Sequence, residues 1–231
     1  RDYKGYSFPF EDIAKELYRV TKENGVLVWV VGDAVIDGSE SGTSFKQALF
    51  FIQCGFNLHD TMIYLKKQCP FPMSNRYNQV FEYMFVFSKG KPKTTNLIKV
   101  KTKYDVSELG KKSNHTTRDK DGSQSSMKYE MNKEFKTKDN VWEFGNGIGQ
   151  TTNDKIAFEH PAQFPEDLAK EHIYSWSNEG DIVYDCFGGS GTTAKMAHLQ
   201  KRNWILSEIS KEYCEIAKKR IAPYLAQTSL F

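Results

Sequence analysis

The sequence predicts an α/β fold with a doubly wound, mostly parallel sheet, and two stretches of the chain support this. Val26–Val31 is a continuous apolar run that follows a segment with helical periodicity. Further along, the apolar strand Ile182–Tyr184 leads through a glycine-rich turn into a helix over Thr192–Lys201 and then a strand at Trp204–Leu206. Strands that alternate with helices are typical of parallel sheets covered on both faces. With 231 residues, 39% of them apolar, the chain can bury one substantial core.

The remaining elements follow from apolar periodicity and from turn residues at their ends. We expect Val26–Val31 to be a buried parallel strand, because its residues are apolar on both faces. The other predicted elements are a helix from Pro9 ended by Asn24-Gly25, a helix with a core stripe of Phe45, Ala48, Leu49 and Ile52 ended by Gly55, strands over Phe56–Lys66 and Val80–Ser88, a helix over Glu166–Ser177, and a C-terminal helix over Lys211–Tyr224 with Tyr213, Ile216, Ala217, Arg220 and Ile221 as its core stripe.

The turn from Asp185 to Thr193 combines a carboxylate at a strand end with three glycines. Glycines allow a sharp backbone turn and a close approach to a ligand, and ligands of α/β sheets lie at the carboxyl ends of strands. The glycine spacing alone also fits a dinucleotide site, or a turn that needs glycine for shape. Glu208 ends the next strand at about the 20-residue interval expected of a carboxylate that holds ribose hydroxyls. The pattern therefore predicts a nucleotide-like cofactor.

Three segments together resemble the DNA methyltransferases that methylate amino groups with S-adenosylmethionine. They are Asp185 to Thr193, the His-Pro-x-x-x-Pro segment at His160–Pro165, and Arg202 to Ile209. The resemblance implies a Rossmann-like doubly wound methyltransferase sheet with an inserted target-recognition region. Because the cofactor block is C-terminal, the motif order is similar to that of the beta-type members, which place the catalytic block first.

The resemblance also implies cofactor contacts. The backbone from Phe187 to Gly191 and the Asp185 carboxylate would surround the methionine part, Glu208 would accept the ribose hydroxyls, and His160 to Phe164 would close over the cofactor. His160 itself is expected to make a structural hydrogen bond rather than act as a general base. Cys186 stands where the family usually has proline, which leaves the turn less constrained. The complete set of predicted cofactor residues is His160, Pro161, Ala162, Phe164, Asp185, Phe187, Gly188, Gly189, Ser190, Gly191, Thr192 and Glu208.

The catalytic element that the resemblance implies, Asp, Asn or Ser followed by Pro-Pro-Tyr, occurs nowhere in the 231 residues. The chain opens with Arg1-Asp2-Tyr3, a stretch that in the family often follows Pro-Pro-Tyr closely. The strand that leads into this element would lie beside the strand ending at Asp185. Because the middle of a parallel sheet is normally covered, we expect a segment before Arg1 or a second chain to complete the sheet. The alternative is a catalytically silent fragment that is stable alone.

Several residues nearer the N-terminus are candidates for contact with the target base or with DNA. Asp33, at the end of the Val26–Val31 strand, is either a wall of the base pocket or a turn or cap residue. In the irregular stretch Cys69–Gln79, Arg76 and Tyr77 are candidates for DNA contact, although a rigid surface loop fits equally well. The aromatic residues of Val80–Ser88 fit core packing, with one at the rim available to stack on an extruded base.

Charge is concentrated in one segment. Residues 89–138 contain 14 Lys or Arg against six Asp or Glu, a local balance of +8, whereas the whole chain carries +3. A basic face attracts phosphates by releasing their counterions, so the segment predicts a DNA-binding region; the alternative is a solvated loop. The predicted organisation is a catalytic half over 1–88, a basic target-recognition insertion over 89–140, and a cofactor-binding half over 141–231.

Composition restricts the class of protein further. The four cysteines lack metal-ligand spacing, so we expect reduced thiols and no metal site. No apolar run approaches the roughly 20 residues that span a bilayer, so we expect a cytoplasmic protein that does not bind membranes. The resemblance to DNA methyltransferases implies a bacterial or phage-encoded protein. Assembly as a homodimer is left open.

The predicted function is site-specific methyl transfer from S-adenosylmethionine to the exocyclic amine of adenine (N6) or cytosine (N4) in a flipped-out base, as in restriction-modification systems. The alternatives are an RNA methyltransferase and a silent DNA- and cofactor-binding fragment. An NAD-dependent dehydrogenase is disfavoured by the His160–Phe164 segment and by the basic insertion.

Overall fold

The apolar runs of the sequence form strands in the computed structural model, which describes residues 8–68, 74–103, 107, 109–130, 133–147 and 149–227. Numbered along the chain, the strands are β1 (Val26–Val31), β2 (Val35–Ile36), β3 (Ser39–Glu40), β4 (Asn57–Lys66), β5 (Phe81–Ser88), β6 (Lys99–Lys101), β7 (Lys112–Arg118), β8 (Gln124–Glu130), β9 (Phe135–Thr137), β10 (Val141–Phe144), β11 (Ile182–Asp185) and β12 (Asn203–Leu206). The helices are α1 (Phe10–Val20), α2 (Thr43–Gln53), α3 (Glu166–Trp176), α4 (Thr192–Leu199) and α5 (Lys211–Gln227), and a 3₁₀ turn covers Lys155–Glu159.

The described residues divide into two compact units, one up to Asn96 together with the part from Asn140 onward, and one over Leu97–Asp139. The larger unit contains a four-stranded sheet in the order β1-β5-β4-β10 and a two-stranded parallel sheet of β11 and β12. β5 runs antiparallel to both β1 and β4, and β10 runs parallel to β4. The α/β class is confirmed, with a mixed rather than a mostly parallel larger sheet.

Two clusters of buried side chains hold the larger unit together. In the first, Phe51 of α2 makes edge-on contacts with Phe10 and Trp29, with ring centroids 5.3 Å and 5.0 Å apart. The indole N–H of Trp29 donates to Gln47 Oε1 at 2.8 Å, so the buried polar atoms of both side chains are satisfied. In the second cluster, α3 packs against α4 beneath the β11–β12 sheet. These contacts hold β11 and β12 in position against α3 and α4.

Two local predictions are wrong. Among the described residues, Val26–Val31 pairs only with β5, in antiparallel direction, and Trp29 is the one buried residue of the strand. An apolar run indicates burial, whereas strand direction depends on which segment arrives beside it. In α2 three of the four residues of the predicted stripe face outward, with Phe45 54%, Leu49 62% and Ile52 41% exposed, and only Ala48 is buried as predicted. The buried face consists of Ser44, Gln47, Ala48 and Phe51.

The smaller unit covers most of the basic segment and consists of two antiparallel strand pairs. β7 and β8 form a hairpin whose turn is held by Asp121, which accepts hydrogen bonds from the backbone N–H and the hydroxyl of Ser123. β6 pairs with β9. Exposed cations of this unit include Lys101, Lys103, Arg118, Lys120 and Lys133.

Some predictions fall on parts of the chain that lie outside the described residues. They concern Arg1 to Gly5, and Cys69 to Met73 within the irregular stretch before β5. Within the described part, no helix combines the length and the apolar character needed to cross a bilayer.

Candidate functional site

The turn after β11 is organised by the carboxylate of Asp185, the last residue of the strand. Its Oδ1 accepts the backbone N–H of Phe187 at 2.9 Å, and its Oδ2 accepts the hydroxyl of Thr193 at 2.6 Å. Because Thr193 lies in the first turn of α4, Asp185 fixes the turn at both of its ends. The Gly188 N–H also donates to the carbonyl of Ser207 at 2.8 Å, which joins the ends of β11 and β12.

Two glycines of this turn are required by backbone conformation. Gly189 has φ +49° and Gly191 has φ +81°, in the left-handed region that disfavours residues with a Cβ. A Cβ on Gly191 would lie 3.1 Å from the side chains of Ala217 and Ile221 on α5. Gly191 therefore lets α5 pack directly against the turn. On Gly189, a Cβ would lie 3.3 Å from Nε2 of His160.

Glu208, just after β12, is bound to the same turn. Its Oε2 accepts the N–H of Gly189 at 2.8 Å, and its Oε1 accepts the N–H of Ser210 at 2.9 Å. A carboxylate oxygen can accept more than one hydrogen bond, so these contacts orient the side chain and leave acceptor capacity for a ligand hydroxyl. The structure thus brings together the two carboxylates that the sequence predicted to flank one helix.

The segment His160–Phe164 lies against the glycine turn. Gln163 connects the two: its Oε1 accepts the hydroxyl of Ser190 at 3.3 Å, while its Nε2 donates to the carbonyls of His160 and Ala157. His160 Nδ1 lies 3.2 Å from the backbone nitrogen of Ala162, and its ring makes an edge-on contact with Tyr213, with centroids 4.3 Å apart. His160 thus has the local structural contacts expected for it. The role of Gln163 in connecting this segment to the glycine turn was not predicted from the sequence.

These segments surround a cavity of about 900 Å³. The predicted cofactor residues line it, except for Gly191, whose Cα faces α5. The cavity extends along β1 and β11, and all residues of both strands contribute to its wall. Within the described residues, β1 pairs only with β5 and β11 only with β12, so each strand has one unpaired edge. Ile182 and Tyr184 on β11 are 56% and 43% exposed.

A buried ion network behind the turn was not anticipated from the sequence. It joins Arg220 of α5 and Lys195 of α4 to Asp154 and Glu166, with the Arg220 side chain 0% exposed. Burial by itself raises the pKa of Asp154, but hydrogen bonds from Arg220, Lys195 and Tyr224 outweigh this effect and keep the pKa below its ordinary value. The available signal was an arginine inside an apolar helical stripe, since a buried cation needs buried anions.

Asp33 makes the contacts of a capping residue. Its carboxylate accepts the backbone N–H of Ser44 at 3.1 Å, in the first turn of α2, and the hydroxyls of Ser41 and Ser44. Burial raises the pKa of Asp33, and these hydrogen bonds lower it further than burial raises it, so the net pKa is below its ordinary value. The contacts fit the turn or cap interpretation, and the base-pocket role remains a hypothesis.

Arg76 and Tyr77 are not among the residues that line the cavity. Arg76 donates to the carbonyl of Gly38 at 2.7 Å and so connects its loop to the turn between β2 and β3. Tyr77 is 99% exposed. The two residues thus differ, because Arg76 is committed to a neighbouring loop and Tyr77 faces solvent.

Cys186 lies in the cavity wall directly after Asp185. Burial raises the pKa of its thiol to about 12, with a further contribution from the Asp185 charge. The thiol is therefore protonated at neutral pH. Because only the thiolate is a strong nucleophile, Cys186 is a weak nucleophile here. Cys186 packs against the aromatic core as a small apolar residue.

Comparison with known proteins identifies the family of the chain. A family model described as DNA methylase, N6_N4_Mtase, matches residues 1–219. The orphan methyltransferase M.BamHII of Bacillus amyloliquefaciens is 58% identical over 227 residues, which are 97% of this chain and 85% of that protein.

Two solved structures have similar folds. The PvuII DNA methyltransferase (cytosine-N4-specific) aligns with a TM-score of 0.65 at 22% identity, over 91% of this chain and 68% of that one. The M1.HpyAVI–SAM complex aligns with a TM-score of 0.58 at 23% identity, over 91% of this chain and 81% of that one. The resemblance stated from the motifs and the enzyme class it implied are confirmed. With a family model that covers most of its length and a relative that matches it nearly end to end, the chain belongs to the N6_N4_Mtase family of DNA methylases.

Proposed function

We propose that this chain binds S-adenosylmethionine in the cavity at the ends of β11 and β12 and serves the methylation of an exocyclic base amine, adenine N6 or cytosine N4, in flipped-out DNA. The observation that carries the proposal is the convergence of Asp185, Glu208, the glycine turn and the His160–Phe164 segment on one cavity. Such a position, outside the carboxyl ends of neighbouring parallel strands, is where α/β sheets bind nucleotide-like ligands.

The residues present fit this cofactor. Gly189 carries no side chain to fill the space between the turn and His160, so a ligand can approach the backbone closely there. Glu208 is oriented by two backbone N–H groups and can accept ribose hydroxyls, and Asp185 holds the turn beside it. Bound there, S-adenosylmethionine would supply an electrophilic methyl group, and the chain's residues would orient it and exclude water. M1.HpyAVI, which has a similar fold, forms a complex with the same cofactor.

Titration calorimetry with S-adenosylmethionine tests the binding part of this proposal. Glu208→Gln keeps the side-chain shape but removes the charged acceptor, so we expect about tenfold or weaker affinity, as for the loss of a charge-assisted hydrogen bond. Glu212→Gln, at an exposed position in the first turn of α5, is the matched control and should bind like the wild type. Equal affinity in Glu208→Gln and in an Asp185→Asn variant would contradict the assigned site.

Transfer of a labelled methyl group to DNA and RNA tests the substrate. We expect incorporation into the amino groups of DNA when the chain is supplied together with a segment that carries Pro-Pro-Tyr, because the base amine is a poor nucleophile until hydrogen bonds hold it in position. Incorporation into RNA alone would favour the RNA methyltransferase. A protein that binds cofactor and DNA without any transfer would favour the silent fragment.

We also propose that the gap between β1 and β11 takes one further strand of polypeptide, the one that leads into the Pro-Pro-Tyr element. The support is that each strand presents an unpaired edge among the described residues and that both line one continuous cavity. Unpaired backbone groups and exposed apolar side chains such as Ile182 and Tyr184 are stabilised by strand addition.

Amide hydrogen exchange tests the strand proposal. The probe is a synthetic peptide with an apolar run as long as β1 followed by Asn-Pro-Pro-Tyr, and the control is the same composition in scrambled order. We expect the peptide to slow exchange at the gap-facing amides of β1 and β11 and to leave β4 unchanged. No slowing at either edge, or equal slowing by the scrambled peptide, would count against the proposal.

The smaller unit, Leu97–Asp139, is proposed to contact DNA. Its exposed lysines and arginine attract DNA phosphates independently of base sequence. Two of these cations, Arg118 and Lys120, lie near the tip of the β7–β8 hairpin. The fully exposed Tyr77 is a candidate for stacking on a base.

A further inference from the structure

The buried ion network contains a cation that contacts three separate parts of the candidate site. Arg220 Nε donates to Asp154 at 2.8 Å, and its Nη2 donates to Glu166 at 2.6 Å and to Thr152 at 3.2 Å. Its Nη1 lies 3.1 Å from the carbonyl oxygen of Ser190 and 2.9 Å from the hydroxyls of Ser190 and Thr192. The guanidinium of Arg220 thus lies within hydrogen-bond distance of six acceptor atoms.

The two carboxylates stand at either end of the His160–Phe164 segment. Asp154 precedes the 3₁₀ turn that leads into this segment, and Glu166 is the first residue of α3 that follows it. Lys195 donates to both carboxylates at 2.7 Å, so each anion is shared by two cations. The segment is therefore a loop whose two ends are fixed to the same pair of cations.

The third contact of Arg220 reaches the glycine turn itself. Ser190 and Thr192 line the cavity, whereas Arg220, Lys195 and Asp154 do not. Arg220 thus lies behind the cavity wall and contacts both halves of the proposed cofactor site, the glycine turn and the frame of the His160–Phe164 segment. Arginine suits this position because its planar fork holds several acceptors in fixed directions, whereas lysine presents one compact nitrogen.

Resting on the proposed function, we infer that Arg220 is a positioning residue for the cofactor: it holds the glycine turn and the His160–Phe164 segment at the separation that cofactor binding requires, without touching the cofactor. Asp154 and Lys195 act through it. The stability that the network contributes to the fold is separate from this role, and the two can be measured apart.

The test compares Arg220→Lys with Arg202→Lys. Arg202 is also buried, at 9% exposure, and donates to the Ser177 and Gln200 carbonyls and to the Ser177 hydroxyl, away from the turn. We expect both variants to have a lower Tm. Only Arg220→Lys should bind S-adenosylmethionine about tenfold more weakly by calorimetry at a temperature where both are folded, in line with the loss of one charge-assisted hydrogen bond.

A second readout does not depend on the ligand. In the cofactor-free protein, Arg220→Lys should speed amide exchange at residues 188–193 and 160–164 but not in β4, whereas Arg202→Lys should leave exchange at both segments unchanged. If Arg220→Lys does not fold, Asp154→Asn carries the same expectations, because it breaks the same contact and does not line the cavity.

The outcomes separate the two proposals. If the wild type fails to bind S-adenosylmethionine, the proposed function is wrong and this inference falls with it. If the wild type binds and Arg220→Lys binds equally well, or if Arg202→Lys loses as much affinity, Arg220 only stabilises the fold and the inference alone is overturned.

Discussion

The two units of the chain use charge in opposite ways. Behind the glycine turn, Arg220 and Lys195 are almost inaccessible to solvent, and each has at least two anionic partners. In the smaller unit, cations such as Arg118, Lys120 and Lys133 are exposed. Burial makes charge expensive unless it is fully paired, so buried charge fixes geometry; exposed charge costs little and remains available to a polyanion. The same residue types are thus buried and paired in one unit and exposed to solvent in the other.

The largest effect should come from breaking the buried network. Arg220→Met removes one of two cations and leaves Asp154 and Glu166 with Lys195 alone, so we expect a loss of about 3–5 kcal/mol in the free energy of unfolding, measured by urea denaturation. A change below about 1 kcal/mol would mean that the network contributes little to stability.

The next effect concerns DNA affinity. Changing Arg118, Lys120 and Lys133 together to Gln should weaken binding to duplex DNA by tenfold to about a hundredfold at low salt and reduce the salt slope by about 3. The matched control changes three exposed lysines of the larger unit, Lys15, Lys22 and Lys170, by the same total charge. Equal losses in both triple variants would mean that net charge, and not the smaller unit, attracts DNA.

A smaller effect should depend on pH. Because the folded pKa of Asp154 lies below its ordinary value of 3.8, its contribution to stability is present above about pH 4 and is lost as pH falls through the folded pKa. The groups that donate hydrogen bonds to its carboxylate are Arg220, Lys195 and Tyr224. Burial lowers the pKa of Lys195, but hydrogen bonds to Asp154 and Glu166 raise it above its ordinary value.

Asp154→Asn should therefore be less stable than the wild type from pH 8 to about pH 5, and the difference should narrow below about pH 4. Urea unfolding at several pH values measures this difference. Asp12→Asn, in an exposed pair with Lys15, serves as control and should differ little from the wild type throughout. An Asp154→Asn difference that stays constant down to pH 3 would contradict the expectation.

The smallest effect is expected on the exposed face of α5, two residues from Arg220. Lys218 pairs with Glu215 at 2.7 Å, and both side chains are more than half exposed. Lys218→Met should change the free energy of unfolding by less than about 0.5 kcal/mol, because solvent screens such pairs. If Lys218→Met lowered the free energy of unfolding as much as Arg220→Met, buried and exposed ion pairs would contribute equally to stability, contrary to this comparison.

The sequence predicted the elements around the site well because their signals are local. β1 was placed at its observed bounds, and the stripe of α5 matches its buried residues, Tyr213, Ile216, Ala217, Arg220 and Ile221. The buried face of α2 was predicted wrongly, because it includes the polar residue Gln47. The hydrogen-bond partner of Gln47, the Trp29 indole, lies on β1 and not on the same helix. Spacing along one helix cannot reveal such a partner.

The candidate site was likewise predictable where short motifs carried it. The residues of the glycine turn, Glu208 and the His160–Phe164 segment meet at one cavity, and short spacings in the sequence already related them. The ion network was not predictable, because Asp154 and Arg220 are 66 residues apart and contact only in the folded chain. For Asp33, the sequence indicated a carboxylate at a strand end. It did not indicate which hydroxyl groups, those of Ser41 and Ser44, would donate hydrogen bonds to it.

The partly buried thiol of Cys186 has a practical consequence for redox chemistry. Burial raises the pKa of this thiol to about 12, so the thiol is protonated at pH 7. Alkylating reagents and peroxide act on thiolates, so Cys186 should resist both while the fold is intact. We therefore expect that Cys186 does not make the cavity wall sensitive to oxidants.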